Sequence, residues 1–121
     1  MQTAYQFEVR DGCVCKVDSR TGRAVARRPP VGTSVVQALV VGSRLIVRED
    51  YYGYPPGQSN VYCLTDDFGL VWFAELPTRN DAFANPLILD SEGRLSSASW
   101  EGITCSIDIE TGCIITALLT K

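Results

Sequence analysis

The stretch ITCSIDIETG, Ile103 to Gly112, decides the fold, because the chain writes it three times. The other copies are CVCKVDSRTG, Cys13 to Gly22, and VYCLTDDFG, Val61 to Gly69. In each, a Cys stands three residues before an Asp (Cys15 and Asp18, Cys63 and Asp66, Cys105 and Asp108), and a Gly closes a short turn three or four residues later. The Asp-to-Asp spacings of 48 and 42 residues lie in the range where self-similarity signals repeated supersecondary units. Each Asp is expected to accept backbone N–H bonds across its turn. Gly22, Gly69 and Gly112 are expected to supply the left-handed conformation that other side chains disfavour.

Outward from these copies, short β-patterned runs alternate with turn signals. YQFEVR (Tyr5 to Arg10) meets the first copy at Asp11-Gly12, a strong two-residue hairpin signal. RAVAR (Arg23 to Arg27) leaves that copy, and Arg28, Pro29 and Pro30 then break the pattern, since Pro cannot donate to a ladder. The second unit is complete: VVQALVV (Val35 to Val41), RLIVRE (Arg44 to Glu49), the second copy, and LVWFAEL (Leu70 to Leu76). The third runs through NPLIL (Asn85 to Leu89), RLSSASW (Arg94 to Trp100), ITCSID and CIITALL (Cys113 to Leu119). No run carries the 3.6-residue periodicity of an amphipathic helix. The expectation is an all-β chain of about three four-stranded antiparallel blades, a partial β-propeller, in one repeat domain with units at 4–28, 33–76 and 83–120. The first unit lacks its incoming strand.

The phrases VYCLTDDFGLVW and CSIDIETGCII resemble the blade signature of the pyrroloquinoline-quinone-type β-propeller repeats, which runs from a third strand through an Asp-to-Gly turn into a fourth. That resemblance implies propeller blades and places Trp72 where the family's packing Trp sits, with Val25 and Ile115 in its stead in the other units. The family's quinoprotein dehydrogenases carry eight blades, a calcium beside the cofactor and a disulfide between adjacent cysteines. This chain has under half those blades and no adjacent cysteine pair, so neither cofactor nor dehydrogenase activity is carried over. Other members of the wider family are non-catalytic scaffolds that bind proteins.

Charge and composition narrow the function further. A net charge of −3 gives no electrostatic reason to approach nucleic acid or an anionic membrane, both of which attract clustered Lys and Arg. The apolar runs are too short to cross a bilayer, and MQTAYQFEVR lacks the pattern of a signal peptide, so a cytoplasmic setting is expected. The chain has no His, which removes the commonest general base. Of the five cysteines, Cys15, Cys63 and Cys105 hold one strand position repeated three times, which reads as buried packing of small hydrophobes. Cys13 and Cys15 share a strand face, but zinc wants four ligands and no second pair exists, so no metal is expected.

The chain's one insertion is DYYGYPPGQSN, Asp50 to Asn60, standing where the other units have only Asp-Gly or Glu-Gly. Tyr51, Tyr52 and Tyr54 beside Pro55-Pro56 offer broad amphipathic contact at low entropy cost. In a blade this loop opens on the same face as the connections between blades, which here carry Arg27, Arg28, Arg79, Asn80 and Asp81. Those residues form the candidate binding face for a protein or peptide, unless the tyrosines merely cover a neighbouring blade or subunit. The alternative is a carboxylate-based hydrolase or carbohydrate-active domain using Asp50 or Asp81 on that face. Three blades cannot close a ring, so a homodimer completing six blades is expected.

Overall fold

The computed structural model of the protein describes residues 4–119. Eleven strands form three separate antiparallel sheets among the described residues. The first contains β1 (Tyr5–Arg10), β2 (Cys13–Asp18) and β3 (Ala24–Arg28). The second contains β4 (Val35–Val41), β5 (Arg44–Glu49), β6 (Val61–Thr65) and β7 (Leu70–Phe73). The third contains β8 (Ile88–Leu89), β9 (Leu95–Ala98), β10 (Ile103–Ile107) and β11 (Ile114–Leu119). Within each sheet the strands are paired in chain order, so the chain is all-β and a partial propeller. Residue 120, the expected end of the third unit, lies outside the described residues.

Turn chemistry sets these boundaries. At Asp11-Gly12 both residues have positive φ (50° and 73°), the geometry of the type I′ hairpin turn whose twist matches the strands it joins. In the first and third repeat copies one arrangement recurs. The Asp18 carboxylate accepts from the Arg20 N–H and that of Asp108 from the Glu110 N–H, each at 2.8 Å. The Gly22 and Gly112 N–H groups return to the carbonyls of Asp18 and Asp108.

The second copy departs from this pattern. With one residue fewer between Asp and Gly, its turn is closed by Thr65, whose hydroxyl accepts from the Gly69 N–H at 3.0 Å. Asp66 is displaced into solvent. Positive φ falls on Phe68 (69°) and not on Gly69, so the expectation for Gly69 is corrected: the shorter turn moves the left-handed residue back by one. Phe68 tolerates that geometry while its ring packs edge-on against Phe7 of β1, with centroids 6.0 Å apart.

The incoming strand of the third sheet is also shorter than NPLIL suggests, with only Ile88–Leu89 paired. Pro86 has no N–H to donate. The Leu87 N–H and carbonyl are both taken by the side-chain amide of Gln37 on β4, at 2.7 and 2.9 Å. Gln37 thus replaces a ladder rung by a bridge between sheets.

The apolar core lies in the two seams between sheets. Val14, Val35, Leu45, Val47, Tyr62 and Leu64 fill the first. Ile46, Cys63, Trp72, Phe83, Leu95, Cys105 and Ile107 lie in the second. Cys15, Cys63 and Cys105 are all buried and unpaired, each the third residue of its strand. Burial pushes the Cys63 thiol up. The Cys105 thiol is pushed up to about 11 by burial first and then by the Asp81 and Glu75 charges.

Polar stitching fixes the seams. Trp72 on β7 donates its indole N–H to the Ile109 carbonyl at 2.9 Å, and Arg44 on β5 donates to the same carbonyl at 3.1 Å. Trp72 lies so close to Gly112 that a Cβ there would come within 2.6 Å of the indole ring. Under the first seam, Glu49 at the end of β5 is fully buried. Its carboxylate accepts from the backbone N–H groups of Val31, Gly32 and Thr33 at 2.6, 2.9 and 2.8 Å and from the Tyr62 hydroxyl. Burial alone would raise its pKa, but the hydrogen bonds from Thr33, Tyr62, Val31 and Gly32 outweigh that and hold it below the usual carboxylate range. At the start of β6, Asn60 serves the next linker: its amide donates to the Glu49 and Phe83 carbonyls and accepts from the Phe83 N–H.

Two outcomes follow from these contacts. Gly22→Ala should cost about 1 kcal/mol for its positive φ alone, since nothing lies within 4 Å of its Cβ position. Gly112→Ala, which also drives a methyl group into Trp72, should cost at least twice as much, while Gly69→Ala should be the mildest of the three. Urea midpoints measure this series, and equal losses at Gly22 and Gly112 would contradict the packing described. Glu49→Gln should destabilise by about 3 kcal/mol, because the new NH2 faces donors it cannot accept from. With a folded pKa below its unfolded value, Glu49 stabilises fully above the ordinary carboxylate range, and that contribution is lost as pH falls through the folded value. The acid limb of the wild-type stability curve should therefore be steeper than that of Glu49→Gln, and superimposable limbs would show the cradle to be energetically silent.

Candidate functional site

The insertion between β5 and β6 is anchored at both ends and once in its middle. At its root the Glu49 N–H donates to the Asn60 carbonyl and the Thr33 hydroxyl to the Asp50 carbonyl. The Asp50 carboxylate accepts from the Tyr52 N–H at 3.0 Å, turning the chain outward. In the middle, Tyr54 and Pro55 fold back over Gly32, whose absent Cβ makes room for them: a methyl group there would meet the Tyr54 ring at 2.8 Å. Burial, and then the nearby Glu49 charge, push the Tyr54 hydroxyl up to about 12, so it stays neutral.

These contacts divide the insertion between buried cover and exposed surface. Tyr54, Ser59 and Asn60 are buried, as is Asp81. They belong to the packing between blades because the linker at Gly32 and the linker at Phe83 both need cover. Tyr51 and Tyr52 remain exposed, Tyr52 at 83 %. Replacing all of Asp50 to Asn60 by a tight turn would therefore remove structural parts along with the exposed tyrosines.

Of the sequence candidates, the structure brings Tyr51, Tyr52, Tyr54, Asn80 and Asp81 together around one cleft of about 480 Å³ between the insertion and the linker into the third sheet. Arg79 is turned to an adjoining depression lined also by Gly57, Leu76 and Thr78. Arg27 and Arg28 do not line the cleft; they end β3, and the Arg28 charge acts on Tyr62 beneath the first seam. Asp50 does not line the cleft either.

Trp100 was not among the sequence candidates, yet it stands in the cleft wall at 65 % exposure. Its N–H donates to the Ala82 carbonyl at 2.8 Å, fixing the hairpin before β10 against the linker. The available signal was its place beside Glu101-Gly102: a tryptophan at a hairpin mouth on the same face as the insertion. Asp81 holds the same corner. Its Oδ1 accepts from the Ala82 N–H at 2.8 Å and the Glu101 N–H at 3.2 Å. Among the described residues, no cluster of three or more His, Cys, Asp or Glu side chains is arranged to hold a metal ion.

None of the protein-family models matches the chain, and none of the curated proteins does. Among solved structures, the chain is similar to BamB from Moraxella catarrhalis, with 24% sequence identity over 96% of this chain and a TM-score of 0.61. The match spans 33% of that protein's length. BamB is a β-propeller of pyrroloquinoline-quinone-like repeats, so the likeness agrees with the blade signature at Val61 to Trp72 and Cys105 to Ile115 and supports the propeller fold.

Proposed function

We propose that the chain is a non-enzymatic propeller-type scaffold that binds a protein or peptide in the cleft between the insertion and the third sheet, and that assembles with a second copy. The observation carrying the binding reading is the cleft itself: exposed Tyr52 and Trp100 beside Tyr51 and Pro55, on a frame held from both sides by buried polar bonds. Exposed aromatic rings on a rigid support suit recognition, because they bury much area for little lost freedom. Assembly is supported by the outer strands. Ile115, Leu118 and Leu119 of β11 and Val25 of β3 are exposed, on the outermost strands of the third and first sheets. Two copies related by a two-fold axis would complete six blades with identical junctions. A reducing cytoplasmic setting suits the five unpaired cysteines.

Peptides selected from a random displayed library on the immobilised chain should bind the Tyr52→Ala/Trp100→Ala double variant at least tenfold more weakly, and Arg27→Ala unchanged. Equal binding to all three proteins would remove the cleft as the site. In sedimentation at micromolar concentration the 13.3 kDa chain should run as a dimer, and Ile115→Asp with Leu118→Asp as a monomer. A monomeric wild type would overturn ring closure.

A further inference from the structure

We propose that the cleft selects a basic side chain, an arginine or lysine of the bound peptide, and that Asp81 is the residue that reads it. This rests on the cleft being the peptide site proposed above. Asp81 is only 5% exposed, and its two oxygens differ. Oδ1 is occupied by the Ala82 and Glu101 N–H groups, whereas Oδ2 is buried without a hydrogen-bond partner. The Tyr54 hydroxyl, in the same wall and 9% exposed, is likewise unpartnered.

Buried polar atoms are paired in the great majority of cases, and a buried carboxylate oxygen is among the costliest to leave unmet. Among the described residues one other buried side-chain atom, Arg28 Nε, is likewise unmet, whereas the buried Glu49 fills both oxygens with four donors. The ion pairs of Arg10, Arg44 and Arg94 are made with Glu8, Glu110, Asp90 and Glu92, and none reaches Asp81. The unmet acceptor therefore belongs to a residue of the cleft wall and is in none of the ion pairs among the described residues.

Three features favour a cationic donor over a neutral one. A guanidinium or ammonium group brings an opposite charge to the carboxylate as well as a hydrogen bond, and such charge-assisted bonds are the strong ones. The open part of the cleft is edged by the Trp100, Tyr52 and Tyr51 rings, whose faces attract cations. Two negative charges lie nearby, Glu101 following Trp100 and Glu49 close enough to Tyr54 to perturb its hydroxyl, while the cationic Arg79 is turned to the adjoining depression. The cleft volume of about 480 Å³ admits a long basic side chain with part of its backbone, and the Arg or Lys stem would lie along the rings.

The test compares N-acetyl-arginine amide with N-acetyl-citrulline amide, a neutral isostere, by titration against the native chain, following heat and tryptophan fluorescence. Arginine amide should bind saturably and citrulline amide at least tenfold more weakly, with Asp81→Asn abolishing the difference. If Asp81→Asn does not fold, the comparison on wild-type protein still stands, and Trp100→Leu should weaken arginine amide severalfold. Equal binding of the two amides, or an unchanged preference in Asp81→Asn, would overturn the assignment to Asp81. Library peptides that need Tyr52 and Trp100 but contain no Arg or Lys would overturn the basic-side-chain reading and leave the peptide site standing. Absence of saturable binding by either amide together with absence of cleft-dependent peptides would overturn both.

Discussion

Four hydrogen-bond donors converge on the buried carboxylate of Glu49, and three of them come from consecutive residues of the segment that leads from the first sheet into the second. That segment, Val31 to Thr33, has no ladder to satisfy its N–H groups, and buried unmet donors are costly. The carboxylate supplies in one group what a strand would have supplied along its length. Everything above it inherits that placement. Gly32 is held where Tyr54 and Pro55 can close over it, and Tyr62, which completes the cradle, is itself packed against Phe73 at 5.6 Å. The candidate cleft thus rests on an ionised group it never touches.

The two seams solve one geometric problem in different ways. Between the second and third sheets, Trp72 and Arg44 reach across to the carbonyl of Ile109, and the turn they meet keeps a glycine because the indole leaves no space for a side chain. Between the first and second, the equivalent turn is one residue shorter. It presents Phe68 to Phe7 in place of a backbone carbonyl, and the first sheet has no tryptophan to staple it. A hydrogen-bonded staple and an aromatic contact are thereby interchangeable at the same repeat position, provided the turn length changes with them.

The repeats, the all-β class and most strands were legible because they depend on local chemistry: Asp-to-Gly turns, Asp-Gly hairpins and alternation. The cysteine positions were legible for the same reason, since one strand site recurs. What lay beyond the sequence were partnerships over long separations. Glu49 read as the end of a strand, Asn60 as loop, and Gln37 as the polar residue of an apolar run, yet each is a bridge between sheets. The site divided along the same line. Tyr51, Tyr52, Asn80 and Asp81 could be grouped by loop position, whereas the burial of Tyr54 depends on a glycine 22 positions earlier. Trp100 carried no repeat signature at all. Asp66 misled because counting from Cys63 aligns it with Asp18, while the missing turn residue hands its role to Thr65.

The cysteines have a consequence of another kind. Cys15, Cys63 and Cys105 sit one to a sheet at matching depth, whereas Cys113 is exposed. A buried thiol reacts only when the structure around it opens, and opening free energies differ between parts of one protein. The chain therefore carries native clocks in every blade, two of them, Cys13 and Cys15, in the first, with Cys113 marking zero time. The order in which the four hidden thiols become reactive would report which blade loosens first, without a label having to be engineered in.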